Sequence, residues 1–234
     1  MVRIAWVVLL ALVLLSVAGS AFAYRLIVIP TVESLPDSVY KLELGAPFNE
    51  NAMDEWLPTF RFDGTIYKGL EVSLRGDGFP GDWTRSSSTL LGMNWQIAKE
   101  TEQTPGYGVG VLNLYDSDEH FFVKESFYAG LFKSVDLGLK FPVKIHVLWG
   151  TSQVNGIFGG VLIPMSKRFV GLAEWIPEGT SDNLKSLRTP GTKSGLAWAL
   201  GYNQTSHWLF KYANCGGDNA YGVVYTSKWL TDTF

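Results

Sequence analysis

The sequence predicts an all-β fold: a closed antiparallel transmembrane β-barrel of about twelve strands, preceded by a cleaved signal peptide. Three observations predict it. Apolar and polar residues alternate with period two in segment after segment. Beyond residue 23 no apolar run approaches the roughly 20 residues of a helical span, so a membrane crossing has to be made by strands. Only 18% of residues are charged, while glycine and aromatic residues are plentiful, as barrel bends and interfacial girdles require. A soluble β-barrel or sandwich would put lysine and glutamate along its outer faces.

The leader comes first. Arg3, an apolar run from Ile4 to Ala18 and the small residues Ala21 and Ala23 make residues 1–23 a secretory signal peptide, cut near Ala23. Export to the outer membrane follows. Residues 24–37 contain Pro30 and Pro36, which exclude them from the middle of a sheet, and are expected as a periplasmic N-terminal segment. Residues 38–234 form the barrel.

Alternation begins at Val39–Pro47, where Tyr40, Leu42 and Leu44 oppose Lys41 and Glu43. Trp56–Asp63 sets Phe60 and Phe62 against Arg61 and Asp63, with a turn expected at Gly64–Ile66. Tyr67–Arg75 sets Leu70, Val72 and Leu74 against Glu71, Ser73 and Arg75. Ser88–Ile97 sets Leu91, Met93 and Trp95 against Asn94 and Gln96. In Tyr107–Tyr115 and Phe121–Leu131 the apolar face is broken by Asn113 and Glu125, which implies a bulge or an early strand end. Val143–Gly150 alternates Ile145, Val147 and Trp149 with Lys144 and His146.

Gly156–Pro164 and Phe169–Ile176 flank the polar turn Ser166-Lys167-Arg168, a hairpin signal. This hairpin is apolar on both faces except at Glu174. It therefore needs an apolar exterior and a polar interior that receives the carboxylate. Ser194–Tyr202, His207–Ala213 and Asn219–Thr226 complete the set, with Leu196, Trp198 and Leu200 opposing Gly195, Ala197, Ala199 and Gly201. Leu42, Leu70, Trp95, Ile145, Trp198 and Phe210 are expected to face lipid. The longest connections, around Trp83 and Asp182, fall on the side opposite the N-terminus, as in bacterial outer-membrane barrels.

The stretch Val143–Tyr202 resembles small YjbH-like outer-membrane barrels. The features that carry the resemblance are Gly156-Ile157-Phe158-Gly159-Gly160, the turn Ser166-Lys167-Arg168 and Ala173-Glu174-Trp175. Ile29-Pro30-Thr31 with Leu35-Pro36 resembles the start of such exported chains. The resemblance implies an outer-membrane barrel linked in some relatives to exopolysaccharide production, and it carries over no catalytic residue.

Net charge of −3 with no basic block argues against a nucleic-acid partner, and Cys215, the one cysteine, has no intrachain thiol to pair with. No cofactor or metal is expected. His120 stands near Asp116, Asp118 and Glu119, but no nucleophile motif accompanies it and the cluster lacks the length of a calcium loop. An enzyme is therefore not expected, an outer-membrane hydrolase being the third and weakest reading. The chemistry lies in the lumen. Lys41, Glu43, Arg61, Asp63, Glu71, Arg75, Asn94, Gln96, Lys124, Lys144, His146, Glu174, His207 and Lys211 are expected to line it.

Small inward residues at Gly159, Gly160, Gly195, Ala197, Ala199 and Gly201 would leave space beside that wall, which favours a narrow passive channel for small hydrophilic solutes. The alternative is a non-conducting envelope scaffold or a barrel associated with exopolysaccharide export. The expected partners are outer-membrane lipid, the outer-membrane insertion machinery, and small hydrophilic solutes or polysaccharide. Glu174 should point inward and pair with Lys144, Lys211 or Arg75.

Overall fold

The computed structural model describes residues 30–37, 39–48, 59–77, 89–116, 125–176, 195–205, 207–215 and 218–227. Residues 1–29 and most of the long connections lie outside these. Twelve strands follow in order: β1 (Tyr40–Phe48), β2 (Thr59–Tyr67), β3 (Leu70–Asp77), β4 (Thr89–Ala98), β5 (Gly106–Asp116) and β6 (Ser126–Val135). Then come β7 (Val143–Gly150), β8 (Gly156–Pro164), β9 (Phe169–Ile176), β10 (Gly195–Asn203), β11 (Trp208–Cys215) and β12 (Asp218–Thr226). The only helix among the described residues is one 3-10 turn at Ser152–Val154.

Each strand pairs antiparallel with its sequence neighbour, and β1 closes on β12. The closing register runs from Lys41↔Thr226 to Phe48↔Asn219. A closed barrel leaves no edge, so every backbone ladder is satisfied within the sheet, as an apolar surround demands. The N-terminal segment lies at the end of the barrel where β2 meets β3 and β8 meets β9, called here the turn end. The other, where β9 ends at Ile176 and β10 begins at Gly195, is called the loop end.

Local chemistry explains the departures from simple alternation. The β2–β3 connection is the pair Lys68-Gly69, both at positive φ (32° and 81°), rather than the expected Gly64–Ile66. Two left-handed residues suit the tight hairpin turn whose twist matches the strands. Asp63-Gly64 looks like a turn in the sequence but stays in β2, where Asp63 is held between two cations. Asn113 sits where the β4–β5 register shifts, between Leu91↔Tyr115 and Met93↔Val111, so the broken alternation is a bulge. Glu125 lies one residue before β6.

The exterior is apolar. Trp95, Trp198 and Phe210 are exposed, and Leu42, Leu70 and Ile145 lie on the same outward face half-buried among neighbours. Aromatic rings gather at both rims: Tyr40, Tyr67, Tyr107, Phe169, Tyr202 and Trp208 at the turn end, and Phe127, Trp149, Trp175 and Tyr221 at the loop end. Tyr40 packs on Tyr225 at 5.7 Å between centroids, and Phe169 on Tyr202 at 5.1 Å. An apolar band between two aromatic girdles is the surface of a transmembrane barrel.

A charge in that band should be costly. Leu200 is 46% exposed on β10. Leu200→Arg is expected to destabilise the barrel by about 2–4 kcal/mol in a bilayer if it sits near the midplane. Thr205→Arg, in the adjoining turn, should cost almost nothing. Urea unfolding in lipid vesicles measures both.

Candidate functional site in the lumen

Inside, the barrel has two different walls. The first is polar and is built by β1–β4 with β11. Strand register sets it up: Lys41 lies opposite Asp63, Glu43 opposite Arg61, and Glu71 opposite Asn94. Asp63, fully buried, accepts from Arg61 Nε at 2.7 Å on one oxygen, and its other oxygen lies 3.0 Å from Lys41 Nζ. Glu43 takes Lys211 from β11 in a direct ion pair and lies 3.9 Å from Lys41. Lys41, Arg61, Asp63, Glu71, Ser73 and Asn94 are all buried; Lys41 and Arg61 pair with Asp63, whereas Glu71 Oε1 and the Asn94 side-chain amide make no hydrogen bond among the described residues.

The second wall, from β6 to β11 and on to β12, is apolar. Tyr128, Phe132, Leu148, Phe158, Leu162, Val170, Leu172, Ala197, Ala199, Leu209, Ala213 and Val224 point inward and form one packed cluster. On β9 Val170 and Leu172 share the inward face with Glu174, as the alternation requires. One expectation is corrected. Ala197 and Ala199 leave no open space, because each is 1% exposed within the cluster. On β5 the inward glycines are filled by neighbours: a Cβ at Gly110 would fall 2.2 Å from the Tyr128 ring. At Gly106 the Phe132 ring takes the same space, 2.3 Å from where a Cβ would fall.

Glu174 does face inward and is buried, opposite Gly160 and Ala197. Lys144 and Lys211, two of the cations expected near it, are bonded to Glu33 and Glu43. His146 is buried on the lumen side of β7, its ring 5.9 Å from that of Phe132.

The third component is the N-terminal segment. Thr31, Val32, Ser34 and Leu35 are buried inside the turn end, held one residue at a time. Val32 enters the apolar cluster. Glu33 Oε1 accepts from Lys144 Nζ at 2.5 Å, and the lysine also lies over the Phe132 ring at 5.7 Å. Ser34 donates through its backbone N–H (3.1 Å) and its hydroxyl (3.0 Å) to Gln96 Oε1. Leu35 N–H donates to Glu71 Oε2 at 2.7 Å, and the Thr65 hydroxyl donates to Leu35 C=O at 2.7 Å. Gly108 makes room: a Cβ there would fall 3.0 Å from Val32 O. Burial outweighs the lysine and holds the Glu33 carboxyl above its ordinary range.

Of the residues expected to line the lumen, Lys41, Glu43, Arg61, Asp63, Glu71, Asn94, Gln96, Lys144, His146, Glu174 and Lys211 stand on inward faces. His207 lies in the turn before β11, its backbone N–H bonded to the Thr205 hydroxyl at 3.1 Å. Arg75 belongs to β3, but its side chain, like those of Asp116 and Cys215, lies outside the described residues. Lys124, His120, Asp118 and Glu119 lie outside them altogether. Thr65 was expected in a turn, and the large inward side chains of Tyr128, Phe132, Leu148, Phe158 and Leu162 were not expected. Both faces of β8 to β10 are rich in apolar residues, so alternation alone does not separate lipid-facing from lumen-facing positions there.

No family model matches this sequence, and no curated protein matches it significantly.

Proposed function

We propose that this chain is an exported outer-membrane barrel that is closed in its resting state and serves the envelope without conducting. One observation carries this reading: the turn-end mouth holds the segment 31–35, bonded to Thr65, Glu71, Gln96 and Lys144 on four different strands. The packed apolar wall and the internally paired charges support it further. The resemblance to YjbH-like barrels fits a scaffold or polysaccharide-export role, the chain itself being exported by a signal peptide cut near Ala23.

A second reading, a narrow channel for small hydrophilic solutes, is favoured by the polar wall itself. Lys41, Glu43 and Lys211 on one side and Asn94 and Gln96 on the other offer both signs of charge and amide groups along the path a solute would take. Planar-bilayer recording of the purified full chain separates the two. The closed barrel gives no conductance steps across a range of salts and voltages. Steady ohmic steps would contradict it and favour the channel.

A further inference from the structure

Residues 31–37 belong to no strand, and the barrel closes without them, β1 pairing with β12 through eight residue pairs. The segment is therefore not part of the hydrogen-bonded wall; it is held by it. The holds on residues 33–35 are made by wall side chains. Lys144 takes the acidic side chain of Glu33, Gln96 takes Ser34, and Glu71 and Thr65 take the two backbone groups of Leu35. Val32 fills an apolar place, and the wall is hollowed by Gly108 to admit its carbonyl. That is how an extended peptide is recognised: main-chain groups are bonded and alternate side chains are sorted by pocket. Pro30 and Pro36 bracket the run and restrict its unbound conformations, which lowers the ordering cost of seating it.

We propose that the turn-end mouth is a binding site for an extended peptide of the pattern apolar–acidic–hydroxyl–apolar, occupied at rest by the chain's own residues 32–35. The segment is a tethered ligand that leaves and returns while the barrel stays folded. Its tether gives it an effective concentration in the millimolar range, so it outcompetes dilute peptides and the mouth is normally filled. A peptide in trans with the same four features takes the place whenever the tethered copy is out. This inference rests on the closed-barrel reading for its resting state, but its test does not read conductance.

The test uses the full chain with Cys215→Ser, which removes the native thiol, and Val32→Cys, which places a small apolar thiol at a fully buried position. Maleimide labelling of that thiol should run at least about a hundredfold slower in the folded barrel than in the unfolded chain. Free peptide comprising residues 30–37, at a few millimolar, should raise the labelling rate by more than about tenfold, because it matches the effective concentration of the tether. A scrambled peptide should not.

Lys144→Glu should raise the rate by about tenfold, since it faces Glu33 with a like charge, and Glu33→Lys added to it should bring the rate back. Heat-modified gel mobility confirms that each variant is folded. Labelling that is as fast in the folded parent as in the unfolded chain overturns the proposal. So does a rate that the free and scrambled peptides change equally or not at all, and the peptide arm needs no variant at Lys144. If the thiol stays protected from peptide while the bilayer stays silent, the exchange fails and the closed barrel stands. A conducting parent chain removes the closed barrel whatever the labelling.

Discussion

Asp63→Ala is expected to destabilise the barrel by about 3–5 kcal/mol, the cost of removing the anion that two buried cations share. Asp63 is wholly buried between Lys41 at 3.0 Å and Arg61 at 2.7 Å, both themselves buried. Lys211→Met should cost less, because Glu43 keeps Lys41 at 3.9 Å and is itself less deeply buried than Asp63. Urea unfolding followed by tryptophan fluorescence compares the two. Equal and small effects would mean that water screens this network, and that the polar wall borders an aqueous path.

Phe158→Ala is the second large effect, about 3–5 kcal/mol for removing a fully enclosed aromatic ring. Phe158 is 1% exposed, opposite Leu148 on the lumen side of β8. In a barrel with a packed interior its loss opens a cavity that neighbours fill only in part. In a water-filled barrel the same change would enlarge the lumen with little change in stability. The packed cluster predicts the first outcome, read as a lower urea midpoint with unchanged slope.

Much of the wall was legible from alternation because strand geometry is local. Val143–Gly150, Gly156–Pro164 and Phe169–Ile176 are bounded by turn residues that the sequence announces, and they fold with those limits. Strict alternation also places Lys41, Asp63, Glu71 and Asn94 inside, since a charge on the lipid face would be expensive. The filling of the lumen was less legible. At Val170, Leu172 and Leu209 the inward side chains are as apolar as their outward neighbours Phe169 and Phe210, so only Glu174 and Lys211 mark the lumen face there, and the packing of that face is not encoded in the pattern. The seat of the N-terminal segment depends on contacts across long sequence separations, such as Lys144 with Glu33, that no local pattern encodes. Its trace in the sequence is slight: Val32 and Leu35 are apolar residues in a run that proline keeps out of any strand.

The most direct test of the central claim, that the chain's own N-terminal segment fills the turn-end mouth, is hydrogen exchange at one amide. Leu35 N–H donates to the buried Glu71 carboxylate at 2.7 Å, outside any strand ladder. With the segment seated as described, that amide exchanges at least about a hundredfold more slowly than in the free peptide of residues 30–37, and Glu71→Ala removes most of the protection. Exchange of the Leu35 amide at the free-peptide rate in the folded, full-length barrel would contradict the account.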